Sequence, residues 1–98
     1  MTTNYRKYIS HIKDEANGAL DYARKSMMFK KTRPQFAAWY AEMAADELKH
    51  AGYLTNIGQA MMDENKASDT VVKAWEDTLE ELAEITAKVN AMTTKSTM

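Results

Sequence analysis

The chain has no cysteine, one proline and three glycines among its 98 residues. Without cysteine it can form neither disulfides nor thiolate metal sites, so any metal must be bound by carboxylates and imidazoles. Proline and glycine are the residues that most often interrupt helices, and strong helix formers dominate the rest of the sequence. The composition therefore predicts an all-α chain with few breaks.

An excess of charge and a long apolar run are also missing. Thirteen basic side chains against 14 acidic ones leave a net charge of −1, which gives no electrostatic reason to expect nucleic acid or an anionic membrane as a partner. No apolar stretch approaches the roughly 20 residues of a membrane-spanning helix, and the first residues lack the apolar segment of a secretory signal. We therefore expect a soluble, cytoplasmic protein.

Two breaks divide the chain into three predicted helices within a single domain, residues 1–98. At the first break, Pro34 pre-sets the first turn of a helix and forces the preceding residue into an extended conformation. At the second, Ser68 or Asp69 can cap a new helix. The predicted helices cover residues 4–29, 34–63 and 69–92, and residues 93–98 are predicted to be a frayed tail. Because so short a chain buries only a modest core, self-association would stabilise it.

The third predicted helix has an ordinary amphipathic pattern, with an acidic side that we interpret as a solvated face. Its apolar positions are Val72, Trp75, Leu79, Leu82, Ile85 or Thr86, Val89 and Met92.

The first two helices each carry an apolar seam that polar residues interrupt near its middle. Steps of four and three along the second helix connect Phe36, Tyr40, Met43, Glu47, His50, Leu54, Ile57 and Met61. The same spacing along the first helix connects Tyr5, Tyr8, Ile12, Glu15, Ala19, Tyr22 and Ser26. The interruptions are therefore Glu15 on one helix and the Glu47-x-x-His50 pair on the other.

These interruptions are predicted to meet at one height. If the two helices form a hairpin about the first break, they run in opposite directions and rise equally per residue. Two residues at the same height, one on each helix, then have residue numbers that always add up to the same value. Glu15 and Glu47 average to 31, inside that break, and the same sum puts Tyr22 beside Tyr40. His50 lies one helical turn from Glu47 on the same side.

Carboxylates in an apolar seam are costly unless charge or hydrogen bonds compensate them. A divalent cation would do so, because carboxylate oxygen and imidazole nitrogen are ligands for hard and borderline metals. Di-iron and di-manganese bundles use one glutamate from each of two helices and Glu-x-x-His from each of two others. One chain supplies half of that set, namely Glu15, Glu47 and His50, so two chains related by a two-fold axis would supply all of it.

At these residues the chain resembles the ferritin-like superfamily, and most closely its half-length members, the encapsulated ferritins, with rubrerythrin-type domains next. The motifs are Asp14-Glu15 with Asp21-Tyr22, followed by the segment "DELKHA" at residues 46–51. The similarity covers about residues 8–62. The fold that it implies is a helical hairpin plus a third helix, dimerising into a four-helix bundle core.

The resemblance also implies a function. Glu15, Glu47 and His50 would be the metal-binding and catalytic residues of a ferroxidase centre, an oxidoreductase site that oxidises Fe(II) with oxygen or peroxide for iron storage or detoxification. Tyr22 would be the aromatic neighbour of that centre. The partners would be a second copy of the chain, in a homodimer or higher homo-oligomer, and an encapsulating shell protein that places the chain inside a protein compartment.

Several alternatives stay open at this point. The polar seam positions could fix the register of a non-catalytic helical interaction module. The bundle could also hold manganese or zinc in place of iron, or act as a peroxidase. Tyr22 and Tyr40 could donate hydrogen bonds or electrons to the centre or simply pack in the core. His11 is interpreted as a solvated histidine, and Gly18 and Gly52 suggest close helix approach or room for a cofactor.

Overall fold

The computed structural model describes residues 5–98 as three α-helices joined by two short connections. The helices are α1, Tyr5–Phe29; α2, Pro34–Glu64; and α3, Asp69–Ser96. These described residues contain no strand, which confirms the predicted all-α class. Residue 4, the predicted start of the first helix, lies outside the described residues. None of the helices in this range is long and apolar enough to cross a membrane.

Both connections follow from local backbone chemistry. Arg33 has φ −142° and ψ 75°, which lies outside the helical region without reaching the predicted extended one, and Pro34 opens α2, so the helix begins only after the residue that precedes proline. At the second connection, the Ser68 hydroxyl accepts a hydrogen bond from the Val71 backbone N–H at 3.3 Å. Ser68 is therefore the residue that caps α3.

The end of α3 differs from the sequence-based expectation. Residues 93–96 continue the helix to Ser96, where a frayed tail was predicted. Ser96 is buried, and its hydroxyl oxygen lies 2.5 Å from that of Ser26, which in turn donates to the Ala37 carbonyl at 2.6 Å. The hydroxyl of Thr93 bonds back to the Val89 carbonyl. Polar side chains remain ordered here because the protein itself supplies their hydrogen-bond partners.

Small residues mediate the contact between the hairpin helices. α1 packs against both α2 and α3, whereas α2 and α3 touch each other little. The buried positions of α2 recur every seven residues and form a small-residue stripe, consisting of Ala37, Ala44, Ala51 and Gly58. The main core cluster consists of Ala16, Ala19, Ala23, Ala44, Ile85 and Val89. Small side chains allow neighbouring helix axes to approach closely, and the bundle is correspondingly slender, at 52 × 17 × 15 Å.

The large apolar residues of α2 lie elsewhere. The seam predicted from the sequence is displaced from the small-residue stripe, and much of it is uncovered because α3 lies near that stripe, where Trp75 packs over Gly58, and not over the seam. Phe36, Met43 and Ile57 of this seam are exposed, as is the neighbouring Trp39, and we call these four large side chains the open face of α2. The regular seam therefore marks a surface of the single chain, while alanines and a glycine form the contact inside it.

Candidate metal centre

Three side chains converge where α1 and α2 lie side by side. Glu15, Glu47 and His50 each offer one ligand atom, and these atoms all lie within 4.8 Å of one another. The His50 Nδ1 atom is 3.5 Å from Glu15 Oε2 and 3.7 Å from Glu47 Oε1. The structure thus brings together the residues for which the equal-height argument predicted a meeting.

The group is open on one side. The side chain of Glu15 is 18% exposed and that of His50 is 54% exposed. Glu47 is 26% exposed, so both glutamates lie on the inner side of the group, while the more exposed imidazole lies on its outer side, next to the open face of α2. A second surface placed against α2 would cover the imidazole and the apolar side chains together.

The two oxygens of Glu15 have different surroundings. Oε1 lies 3.2 Å from His11 Nε2, one turn earlier on α1. Oε2 is buried and has no hydrogen-bond partner among residues 5–98. A buried acceptor without a donor is costly, and it points into the group that contains Glu47 and His50. The donor set consequently fits a cation, which would bind this oxygen directly.

The two carboxyl groups also perturb each other. The adjacent Glu15 carboxylate, followed by burial, raises the pKa of Glu47, while the adjacent Glu47 carboxyl group and the charge of His50 lower the pKa of Glu15. Without a metal, the Glu15 oxygen can be satisfied only by a proton bound within the group, since two ionised carboxylates share no donor. A divalent cation would replace that proton.

Glycine provides space beside one ligand. A Cβ atom on Gly18 would lie 3.2 Å from Glu47 Oε2, so the glutamate carboxylate occupies the room left by this glycine. Gly52 is different, because a Cβ there would meet nothing within 4 Å in the described part of the chain. The expectation of close approach therefore holds for Gly18 and not for Gly52.

The two tyrosines lie toward the connection between α1 and α2. The rings of Tyr22 and Tyr40 stack with centroids 6.1 Å apart, and Lys25 Nζ is 5.7 Å from both ring centroids. Phe29 also stacks on Tyr40, with ring centroids 5.8 Å apart. Within residues 5–98, neither tyrosine hydroxyl hydrogen-bonds to Glu15 or Glu47. They form a packed aromatic layer above the group and do not contact its carboxylates directly.

His11 is the residue of this site that sequence reasoning missed. Its side chain is 57% exposed, in agreement with a solvated histidine, yet its Nε2 atom is close to Glu15 Oε1. The available signal was its position four residues before Glu15, the spacing at which two helical side chains face each other.

Comparison of the chain with protein-family models, with curated proteins and with solved structures finds no match. The chemistry inferred for the site therefore depends on the residues described above.

Proposed function

We propose that this chain is a ferritin-like di-iron carboxylate protein that oxidises Fe(II), with its metal centre completed by a second copy of the chain. The observation that supports this proposal most is the buried Glu15 Oε2, which has no hydrogen-bond partner among residues 5–98 and lies beside Glu47 and His50. A divalent cation would satisfy this oxygen and compensate the charge of both carboxylates.

Charge balance favours one cation per chain. When Glu15 and Glu47 are both ionised they carry two negative charges, and His50 binds a metal as a neutral imidazole. One Fe(II) therefore neutralises one group of ligands, and two copies of the chain would hold two Fe(II) without a net charge in the centre. Neutrality matters because charge buried without compensation is strongly unfavourable.

The open face of α2 supports assembly through this surface. Phe36, Trp39, Met43 and Ile57 would be buried if two copies packed their hairpins together, and the two ligand groups at mid-height would then approach each other. Such a dimer would place two copies of α1 and α2 around one core, in the arrangement of a four-helix bundle.

In the proposed reaction, Fe(II) is the substrate. Each Fe(II) loses one electron, which oxygen or peroxide takes up. Glu15 and Glu47 hold the ion, and their negative charge stabilises the additional positive charge of Fe(III). Glu47 binds the ion as a carboxylate, and its 26% exposed side chain gives a proton displaced from it a route to water. The product would be stored or detoxified, and the resemblance to encapsulated ferritins suggests a surrounding shell protein as the recipient.

Anaerobic titration with Fe(II), followed by exposure to air, tests the proposal. We expect about two irons per dimer and a transient absorbance on oxidation, both lost in Glu47→Ala. Glu84→Gln is the matched control, since Glu84 is an exposed acid on α3, and it should behave like the unmodified protein. Iron uptake by Glu47→Ala equal to that of the control would contradict the proposal.

A second candidate is a non-catalytic helical interaction module, favoured by the aromatic open face alone. Thermal melting separates the two. The metal proposal predicts that Fe(II), Mn(II) or Zn(II) raises the melting temperature, by a stability gain of about 2.7 kcal/mol at a concentration 100 times the dissociation constant. The module predicts no response to any of them. A manganese or peroxidase variant of the same bundle would share the melting response and would differ in which metal and oxidant give turnover.

A further inference from the structure

We infer that His11 is a positioning residue of the metal centre, which fixes the Glu15 carboxylate so that Oε2 alone is presented to a cation. This inference rests on the proposed metal site. Two imidazoles approach the two oxygens of one carboxylate, His11 Nε2 at 3.2 Å from Oε1 and His50 Nδ1 at 3.5 Å from Oε2.

The two histidines have different surroundings. His50 also lies 3.7 Å from Glu47 Oε1, and it belongs to the group whose ligand atoms are mutually within 4.8 Å. His11 does not belong to that group; its contact at the site is with Glu15 Oε1, on the outer side. Its Nε2–H donates to that oxygen. His11 therefore acts through Glu15 and does not itself contact the cation.

This contact is useful because of how Glu15 is built. A glutamate side chain has three rotatable bonds, and its carboxylate can turn either oxygen, or both, toward a cation. A hydrogen bond to Oε1 restricts that rotation and leaves Oε2 directed inward. Hydrogen bonds from outer residues to metal-binding carboxylates commonly change metal affinity by about 10- to 100-fold.

Mn(II) binding tests the inference, because Mn(II) prefers oxygen ligands and its free ion is counted by electron paramagnetic resonance without any turnover. We expect His11→Ala to weaken Mn(II) binding about 10- to 100-fold with unchanged stoichiometry. His11→Gln keeps a side-chain N–H that can reach Glu15 at the same spacing, and it should restore affinity to within a few-fold of the unmodified protein. Asn17→Ala, an exposed change on the same helix, is the control.

The outcomes separate the possible roles. Equal Mn(II) affinity in His11→Ala and the Asn17→Ala control would overturn the inference while leaving the proposed function intact. A loss that His11→Gln does not restore would show that His11 does not act through a hydrogen bond to Glu15, which also overturns it. No Mn(II) or Fe(II) binding by the unmodified protein would remove the proposed function and this inference with it.

A metal-free measurement gives an independent check. Nitrogen-15 chemical shifts of His11 report which ring nitrogen carries the proton, and the hydrogen bond to Glu15 requires it on Nε2. Protonation on Nδ1 alone would overturn the inference whatever the metal result. Melting of metal-free His11→Ala should match that of Asn17→Ala within a few degrees, since a single helical pair of this kind contributes little to stability.

Discussion

The two faces of α2 are built from different residues and have different surroundings. The small-residue stripe, Ala37 to Gly58, is buried against the rest of the chain, while the open face, Phe36 to Ile57, exposes large aromatic and aliphatic side chains. Close helix contact requires small residues, whereas a large apolar surface left in water favours a further contact. The comparison indicates that α2 is packed on one side and available on the other. The candidate ligands of α2, Glu47 and His50, lie between the two faces.

A charge on the open face should have the largest effect. Ile57→Lys would leave the single chain folded, because residue 57 is exposed, but would bury an unpaired ammonium group in the proposed dimer. We expect association to weaken by about 3 kcal/mol or more, equivalent to at least ~100-fold. Sedimentation equilibrium measures the change, with Ala83→Lys on the exposed side of α3 as the control. Equal association of both variants would contradict assembly through this face.

The buried face can be tested with two glycines of α2. A Cβ on Gly58 would overlap the ring of Trp75, so Gly58→Ala should destabilise the fold by about 1–3 kcal/mol through overpacking. A Cβ on Gly52 meets open space in the described chain, so Gly52→Ala should instead stabilise it by up to about 1 kcal/mol through helix propensity. Urea unfolding measures the change in the free energy of unfolding for each variant, and the two changes should have opposite signs. Equal effects would show that the Trp75 contact does not distinguish these positions.

The pH dependence of the free energy of unfolding, measured without metal, should be the smallest effect. It arises from Glu15 and Glu47 in the candidate metal centre. Because the pKa of Glu15 is lowered on folding, this residue contributes stability that is present above pH 4.5 and is lost as the pH falls through its folded-state pKa. Because the pKa of Glu47 is raised on folding, this residue contributes stability that is present below pH 4.5 and is lost as the pH rises through its folded-state pKa. Above pH 4.5 the second effect therefore lowers the free energy of unfolding, by at most about 1.4 kcal/mol per pH unit.

Glu47→Gln isolates this contribution, since it removes the titrating carboxyl while keeping a side chain of similar shape. Urea unfolding between about pH 4 and pH 7 should show a smaller decline for Glu47→Gln than for the unmodified protein. Identical declines would mean that the raised pKa of Glu47 makes no contribution to stability.

Local chemistry made the helix boundaries predictable from the sequence. Pro34 and Ser68 act on their immediate neighbours, so each break could be located without knowledge of the packing. The meeting of Glu15 with Glu47 was predictable for a related reason, because equal rise along two helices of a hairpin depends only on where the turn lies. Whether a metal binds there stays a prediction.

Features that depend on the third helix were not predictable in this way. Which side of α2 is buried depends on where α3 packs, and the periodic pattern of large residues marks the open face instead. The helical tail depends on Ser96 reaching Ser26, a partner 70 residues away in the chain. His11 was missed because its exposure is ordinary, and only the rotamers of His11 and Glu15 bring the two side chains together.

The contacts at the two ends of α3 control where that helix can lie. Trp75 packs over Gly58 and donates to Gln59 at 2.8 Å, while Ser96 contacts Ser26, about 31 Å further along the helix. A helix held at two such distant points cannot slide by a turn along its neighbour without breaking both contacts. Movement of α3 over Phe36 and Met43 would therefore cost both contacts, which favours keeping these side chains exposed in the isolated chain.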